Sequence, residues 1–205
     1  MTFAHVILVA VLAAATGSTA PRLPTPANYA ETCALVGSWC KPVPGEVPQE
    51  LRRPLHLPTL PRNGRCPTTP GVRFDNGQFG GIALGRPPVL PLVGAVRRDT
   101  TSGAIAFRRR GRWWSAKTLW FSQPRYQGPV FIRGRKLGGG GKIVFGERPS
   151  LFDPQLPPEP TLNGTDGWRE WPGATYLRSL GCWAWQIDGP DFSNVVVFRA
   201  VRSTR

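Results

Sequence analysis

The chain has 205 residues, with 26 Lys+Arg against 12 Asp+Glu, 40% hydrophobic residues and eight tryptophans. So much apolar and aromatic side chain excludes a disordered polyelectrolyte despite a net charge of +14, and the length suits one domain with a single core. Of the two histidines, His5 lies in an apolar N-terminal run and His56 in a Pro-rich stretch, so neither a His-ligated metal site nor a Ser-His-Asp apparatus is expected, and no cofactor.

Residues 3–15 form an apolar run of thirteen, followed by small residues up to Ala20. That is the length of a signal-peptide core and too short for a membrane span, which needs about 20 apolar residues. Residues 1–20 are therefore assigned as a signal peptide, with a buried N-terminal strand or helix as the alternative. No later stretch is apolar for 18 residues, so no transmembrane span is expected in the mature chain.

Residues 21–91 hold 14 of the 23 prolines, and no apolar period there lasts beyond about eight residues. The reading is an extended arm over 21–69, with no strand assigned before residue 92. Asn28 and Glu31 have capping-box spacing and predict one short helix that stops at Gly37. Trp39, Leu51, Leu55, Leu57 and Leu60, spaced by prolines, suit an arm laid across a sheet.

The four cysteines of an exported chain read as two disulfides, with three connectivities open. On a continuous helix Cys33 and Cys40 would lie roughly 10 Å apart, too far to bond, but Gly37 lets the chain turn back. Cys33–Cys40 and Cys66–Cys182 are the favoured pairs.

From residue 92 the pattern has period two. Residues 104–108 and 113–121 flank a basic tip, Arg109-Arg110-Gly111-Arg112, and residues 130–133 face 142–145 across a Gly-rich loop at 137–141. Both read as hairpins. The glycine run lacks the Lys-Ser/Thr of a phosphate-binding loop. In the last section Trp183, Trp185 and Ile187 alternate with smaller or polar residues, predicting one buried face, and after the turn at 188–191 comes the β-branched and aromatic run 192–201. Short strands with frequent turns predict an all-β fold, a β-sandwich over 70–205, with a small barrel as the alternative.

The segments Trp171-Pro172-Gly173-Ala174-Thr175-Tyr176, Gly181-Cys182-Trp183-Ala184-Trp185-Gln186-Ile187-Asp188-Gly189 and Phe192-Ser193 to Val197-Phe198 resemble the closing strands of exported, immunoglobulin-like bacterial proteins. Residues 117–134 resemble uncharacterised secreted proteins of Arg-rich, high-GC bacteria. The resemblance covers about residues 115–201. It implies an immunoglobulin-like sandwich and a location in the cell envelope, and it brings no catalytic residue with it.

Charge is unevenly spread. Residues 86–142 carry 13 Lys+Arg and one acid, Asp99. Arg108, Arg109, Arg110 and Arg112 cluster beside Trp113 and Trp114 at one tip, and Arg133, Arg135 and Lys136 at the other. Arginine forks pair with phosphate or carboxylate, and an adjacent indole can stack on a sugar or base, so these nine residues are the candidate ligand-binding set. Neighbours on a strand point to opposite faces, which predicts an outward indole from Trp113 or Trp114. The competing reading is a solvated turn in an Arg-rich proteome, since Arg outnumbers Lys 22 to 4. The expected function is non-enzymatic binding of an envelope polyanion or glycan; nucleic acid is not the expected partner. The alternatives are an enzyme or inhibitor module acting on wall polysaccharide through carboxylates among Asp153, Asp166, Glu170, Asp188 and Asp191, and a structural module that binds a protein through a sheet edge.

Overall fold

A computed structural model describes residues 47–75, 80–93, 103–146, 149, 153–156 and 166–204. The expected signal peptide, the helix expected near Asn28, Trp39 and the expected pair Cys33–Cys40 lie outside the described residues. After a 3-10 turn at Gln49–Leu51 come eleven strands: β1 (Gly71–Asp75), β2 (Gly80–Leu84), β3 (Val89–Val93), β4 (Ala104–Arg110), β5 (Trp113–Ser122), β6 (Val130–Lys136), β7 (Val144–Gly146), β8 (Gln155–Leu156), β9 (Arg169–Leu177), β10 (Gly181–Gly189) and β11 (Phe192–Arg202). The fold is all-β, as the sequence predicts. No described helix is long and apolar enough to cross a membrane.

The strands form a mixed network in the order β1-β2-β3-β5-β4-β11-β10-β6-β8, with β9 on β5 and β7 on β9. β4 joins its two sections. Its first half runs parallel to the end of β11, from Ala104 opposite Arg199 to Phe107 opposite Arg202, and its second half pairs antiparallel with β5, from Arg108 opposite Ser115 to Arg110 opposite Trp113. The sections share one core. Trp120 of β5 meets Trp185 of β10 edge-on at 5.4 Å, and Trp185 stacks on Phe198 of β11 at 4.0 Å, an arrangement of rings that adds to the burial of their area.

Trp183, Trp185 and Ile187 all enter this core, so the predicted buried face of β10 is present. The opposite face, Cys182, Ala184, Gln186 and Asp188, is buried as well, because residues 51–69 lie over it. Leu57, Leu60 and Cys66 pack on Cys182, Ala184, Val197 and Leu137. Polar groups fix the register of this cover. The His56 N–H donates to Gln186 Oε1 at 2.7 Å, Gln186 Nε2 donates to the Pro54 carbonyl at 2.9 Å, and Arg53 donates to the carbonyls of Phe192 and Pro190. The Thr69 N–H donates to the Val197 carbonyl at 2.8 Å, and Thr69 Oγ1 accepts from the Val197 N–H at 2.9 Å. A disulfide joins Cys66 to Cys182, one of the two expected pairs.

Two expectations are corrected. Residues 71–75, 80–84 and 89–93 form strands, where none was expected before residue 92. Pro91 falls opposite Trp120 on one side of β5 and Pro172 opposite Leu119 on the other, each at the cost of one ladder donor. Residues 130–133 and 142–145 also do not pair along their length. Only Arg135 and Lys142 bridge, after which β6 continues along β10 while β7 joins β9. The chain changes section there because Ile143 and Phe145 are drawn into the shared core, where both are fully buried. Gly134 makes room for the crossing: a side chain at that position would fall on the Ile143 side chain and the Ala184 carbonyl.

Candidate functional site

The β4–β5 hairpin is closed by Gly111 and Arg112, with Gly111 at φ 57°, in the left-handed region that a type II′ turn demands of its first central residue. Arg109 Nε donates to the Gly111 carbonyl at 2.7 Å and stiffens the tip. Arg108, Arg109, Arg110 and Arg112 are all exposed. The tryptophans beside them are not. Trp114 belongs to the main core, and Trp113 points to the opposite face, as strand geometry requires, but is covered there by Val144 and Tyr176. Trp113 is 9% and Trp114 6% exposed, which corrects the expectation of an outward indole. Among the described residues no tryptophan is exposed.

Guanidinium groups occupy the rings instead. The Arg178 Cζ lies 3.8 Å from the Trp113 ring centre and the Arg112 Cζ 5.9 Å from it. Arg109 and Arg202 are each 5.4 Å from the centre of the Trp114 ring. Such contacts hold flexible cations in place, since the electron-rich face of the ring attracts them. Arg202 reaches this point because β11 runs parallel to β4 and ends where β4 turns into the hairpin, with Arg202 opposite Phe107 and the Ser203 N–H donating to the Phe107 carbonyl at 2.8 Å. Between them is an open cleft of about 420 Å³ lined by Phe107, Arg108, Arg109, Trp114, Arg202 and Ser203. Among the described residues, three arginines and no carboxylate line it.

The second basic segment meets the first through the β9–β10 connection. Arg178 covers Trp113, and the next residue, Ser179, accepts a hydrogen bond from Lys136 Nζ at 2.9 Å. Lys136 thereby joins the basic end of the molecule and Arg135 is exposed beside it. Arg133 does not join them: its Nη2 donates to Asp188 Oδ2 at 2.6 Å, and its guanidinium lies 5.0 Å from the Phe131 ring. No acidic side chain among the described residues pairs with Arg108, Arg109, Arg110, Arg112, Arg178 or Arg202; the ion pairs Arg133–Asp188 and Lys142–Asp153 lie elsewhere. Arg178, Arg202 and Ser203 were missed by the sequence reading, for they are remote in the chain from the basic tip and only the pairing of β9 with β5 and of β11 with β4 brings them there.

The carboxylates do other work. Asp188 is fully buried and accepts from Arg133, from Gln186 Nε2 at 3.0 and 3.1 Å and from Ser193 Oγ at 2.6 Å. Asp166 sits at φ 51° in the turn before β9, and Asp191 is exposed in the turn between β10 and β11. Burial pushes the Asp153 carboxyl up, against the opposing pull of Lys142 at 3.2 Å and of the charges of Arg133 and Arg135. Among the described residues no group of three or more His, Cys, Asp or Glu could hold a metal ion.

Glu170 is buried within β9, and burial raises its pKa above the ordinary 4.5. A carboxyl that holds its proton more tightly when folded stabilises the fold below its unfolded pKa and loses that contribution as pH rises through the folded value. Glu170→Gln is therefore expected to gain stability relative to the parent as pH rises through and above the ordinary glutamate value of 4.5. Melting temperatures of both proteins on either side of that value check this, and a difference that stays constant with pH refutes it.

Comparison of the chain with protein-family models, curated proteins and solved structures found no match.

Proposed function

We propose that this is an exported, non-enzymatic protein of the cell envelope, built on an immunoglobulin-like sandwich, that binds an anionic polymer at the basic end of its fold. The observation that carries the reading is the gathering of Arg108, Arg109, Arg110, Arg112, Arg178 and Arg202 at one end with no described acid among them. Like charges held together cost free energy in an isolated protein, and a polyanion relieves that repulsion. The disulfide at Cys66–Cys182 is in keeping with an oxidising compartment, and the resemblance of residues 115–201 to exported proteins points the same way.

Binding of a neutral glycan by stacking on exposed indoles is disfavoured, because the described tryptophans are buried except Trp168, which is partly buried against Phe74 and Phe121. The wall-polysaccharide enzyme is disfavoured too. Asp188 has its oxygens committed to Arg133, Gln186 and Ser193, and no carboxylate lines the arginine cleft.

The test is retention of the purified mature protein on its own cell envelopes across a salt gradient, beside the triple variant R108S/R110S/R112S, which leaves the Trp114 contacts of Arg109 and Arg202 in place. Retention should fall steeply with salt. The triple variant should be retained less, its slope of log affinity against log salt shallower by about one unit for each arginine engaged. Equal retention of the two proteins, or none by either, overturns the proposal.

A further inference from the structure

Resting on that reading, we infer that the cleft between the β4–β5 hairpin and the end of β11 is a subsite for a single phosphate monoester, such as the terminal or side-chain phosphate of a sugar- or glycerol-based polymer. Charge, preorganisation and size argue for it separately.

Arg109 and Arg202 bring their guanidinium groups to the cleft, Arg108 borders it, and no acid is among its described lining residues. A carboxylate or a sulfate ester brings one negative charge, whereas a phosphate monoester carries about −1.5 to −2 at neutral pH and three acceptor oxygens. Each arginine presents N–H donors in a planar fork that matches such oxygens in pairs. The monoester, with close to two negative charges, is thus the small group that best matches a site of two guanidiniums.

Both forks are already held. Arg109 and Arg202 are each 5.4 Å from the centre of the same Trp114 ring, and both line the same cleft. Arg109 donates its Nε to the Gly111 carbonyl at 2.7 Å, which restrains the side chain and leaves its terminal nitrogens for a ligand. Side chains fixed in this way lose little freedom on binding, and that saving goes into affinity.

The cleft is also larger than a bare anion needs. Its volume of about 420 Å³ lies in the range of small-molecule sites. An inorganic ion would leave most of that volume to water, whereas a sugar or glycerol body attached to the phosphate would fill it.

The test is calorimetric titration of the mature protein with glucose 6-phosphate, inorganic phosphate, glucose 6-sulfate and glucuronate at about pH 5 and about pH 7.5, which bracket the second ionisation of a phosphate monoester near 6. Arginine keeps its charge throughout that range, and among the described residues no other charged side chain lines the cleft, so the pH dependence reports the ligand. Glucose 6-phosphate is expected to bind with a dissociation constant on the order of 1 mM or below, more tightly at the higher pH and more tightly than the other three. R202S should weaken it by about tenfold or more and R202K only in part, since lysine restores charge without the fork, while R110S/R112S should leave it within about twofold.

Binding of glucose 6-sulfate or glucuronate as tight as that of glucose 6-phosphate, or no change with pH, overturns the phosphate assignment. Envelope retention without measurable binding of glucose 6-phosphate by the parent protein, or an R202S loss no larger than that of R110S/R112S, overturns the subsite and leaves the broader basic surface standing. Failure of both retention and titration removes the two proposals together. The parent titration needs no variant, so a folding defect in R202S does not rescue the idea.

Discussion

Replacing Cys66 and Cys182 together with serine is expected to lower the free energy of unfolding by about 4–5 kcal/mol, the loop-closure contribution of a crosslink spanning roughly a hundred residues. The two cysteines are 116 residues apart in sequence, so in the unfolded chain the bond removes the conformations of most of the described protein. That loss is a large part of the about 5–15 kcal/mol by which domains are stable. The effect has a local side as well. Cys66 packs with Leu57 and Leu60 on the outer face of β10, and the Thr69–Val197 hydrogen bonds follow three residues later. With the bond gone, the arm depends on these contacts and on the polar contacts of residues 53–56 with β10 and the turn that follows it. Urea unfolding of the oxidised parent and of the double serine variant gives the difference directly. A loss below about 1 kcal/mol would mean that the unfolded chain is already restricted by residual structure, since the loop-closure contribution assumes a free coil.

Asp188→Ala carries the second large effect, a destabilisation of about 3 kcal/mol. Asp188 lies beneath the arm on the outer face of β10, fully buried, and gathers donors from three side chains: Arg133, Gln186 and Ser193. Removing it leaves the Arg133 guanidinium, whose side chain is only 14% exposed, without its counter-charge. It also leaves the Gln186 amide, which holds the Pro54 carbonyl and the His56 N–H, without the acceptor that orients it. Breaking one partner of a buried pair costs far more than the pair contributes on balance, because the remaining charge stays desolvated. Asp188→Asn should recover little: the carboxylate accepts at both oxygens, and an amide would turn its own N–H groups toward existing donors. Removing both charges with R133M/D188L should be less harmful than D188A, and double-mutant comparison by urea unfolding measures the difference. If D188A costs under about 1 kcal/mol, the network does not hold the arm in the way described here.

How far the chain could be read in advance differs from strand to strand for physical reasons. β10 and β11 were legible because alternation of large apolar with small or polar residues has only one interpretation when it lasts nine residues, and β-branched side chains reinforce it. The β4–β5 hairpin was legible from Gly111 between two apolar-rich runs. β1 to β3 were not, because their glycines and prolines, Gly71, Gly80, Gly81 and Pro91 among them, are the residues that locally argue against a strand, and only pairing to β5 overrides that preference. The divergence of β6 and β7 was hidden for a similar reason. Two apolar runs joined by a glycine loop look like a hairpin whether they pair with each other or with different neighbours.

The candidate site divides in the same way. The cationic tip at Arg108, Arg109, Arg110 and Arg112 is a local feature and stands where sequence placed it, with Lys136 and Arg135 at the same end. The cover over Trp113 by Val144, Tyr176 and Arg178 and the arrival of Arg202 at Trp114 depend on residues more than thirty positions away. Composition, charge distribution and all-β character were thus determined by the sequence itself, since each follows from side-chain chemistry or from periodicity within a few residues. The parallel seating of β11 on β4, the arm that buries the outer face of β10, and the cleft with its three arginines were decided by tertiary structure alone. They arise from strand partners chosen by burial in a common core, a choice that no local run of residues encodes.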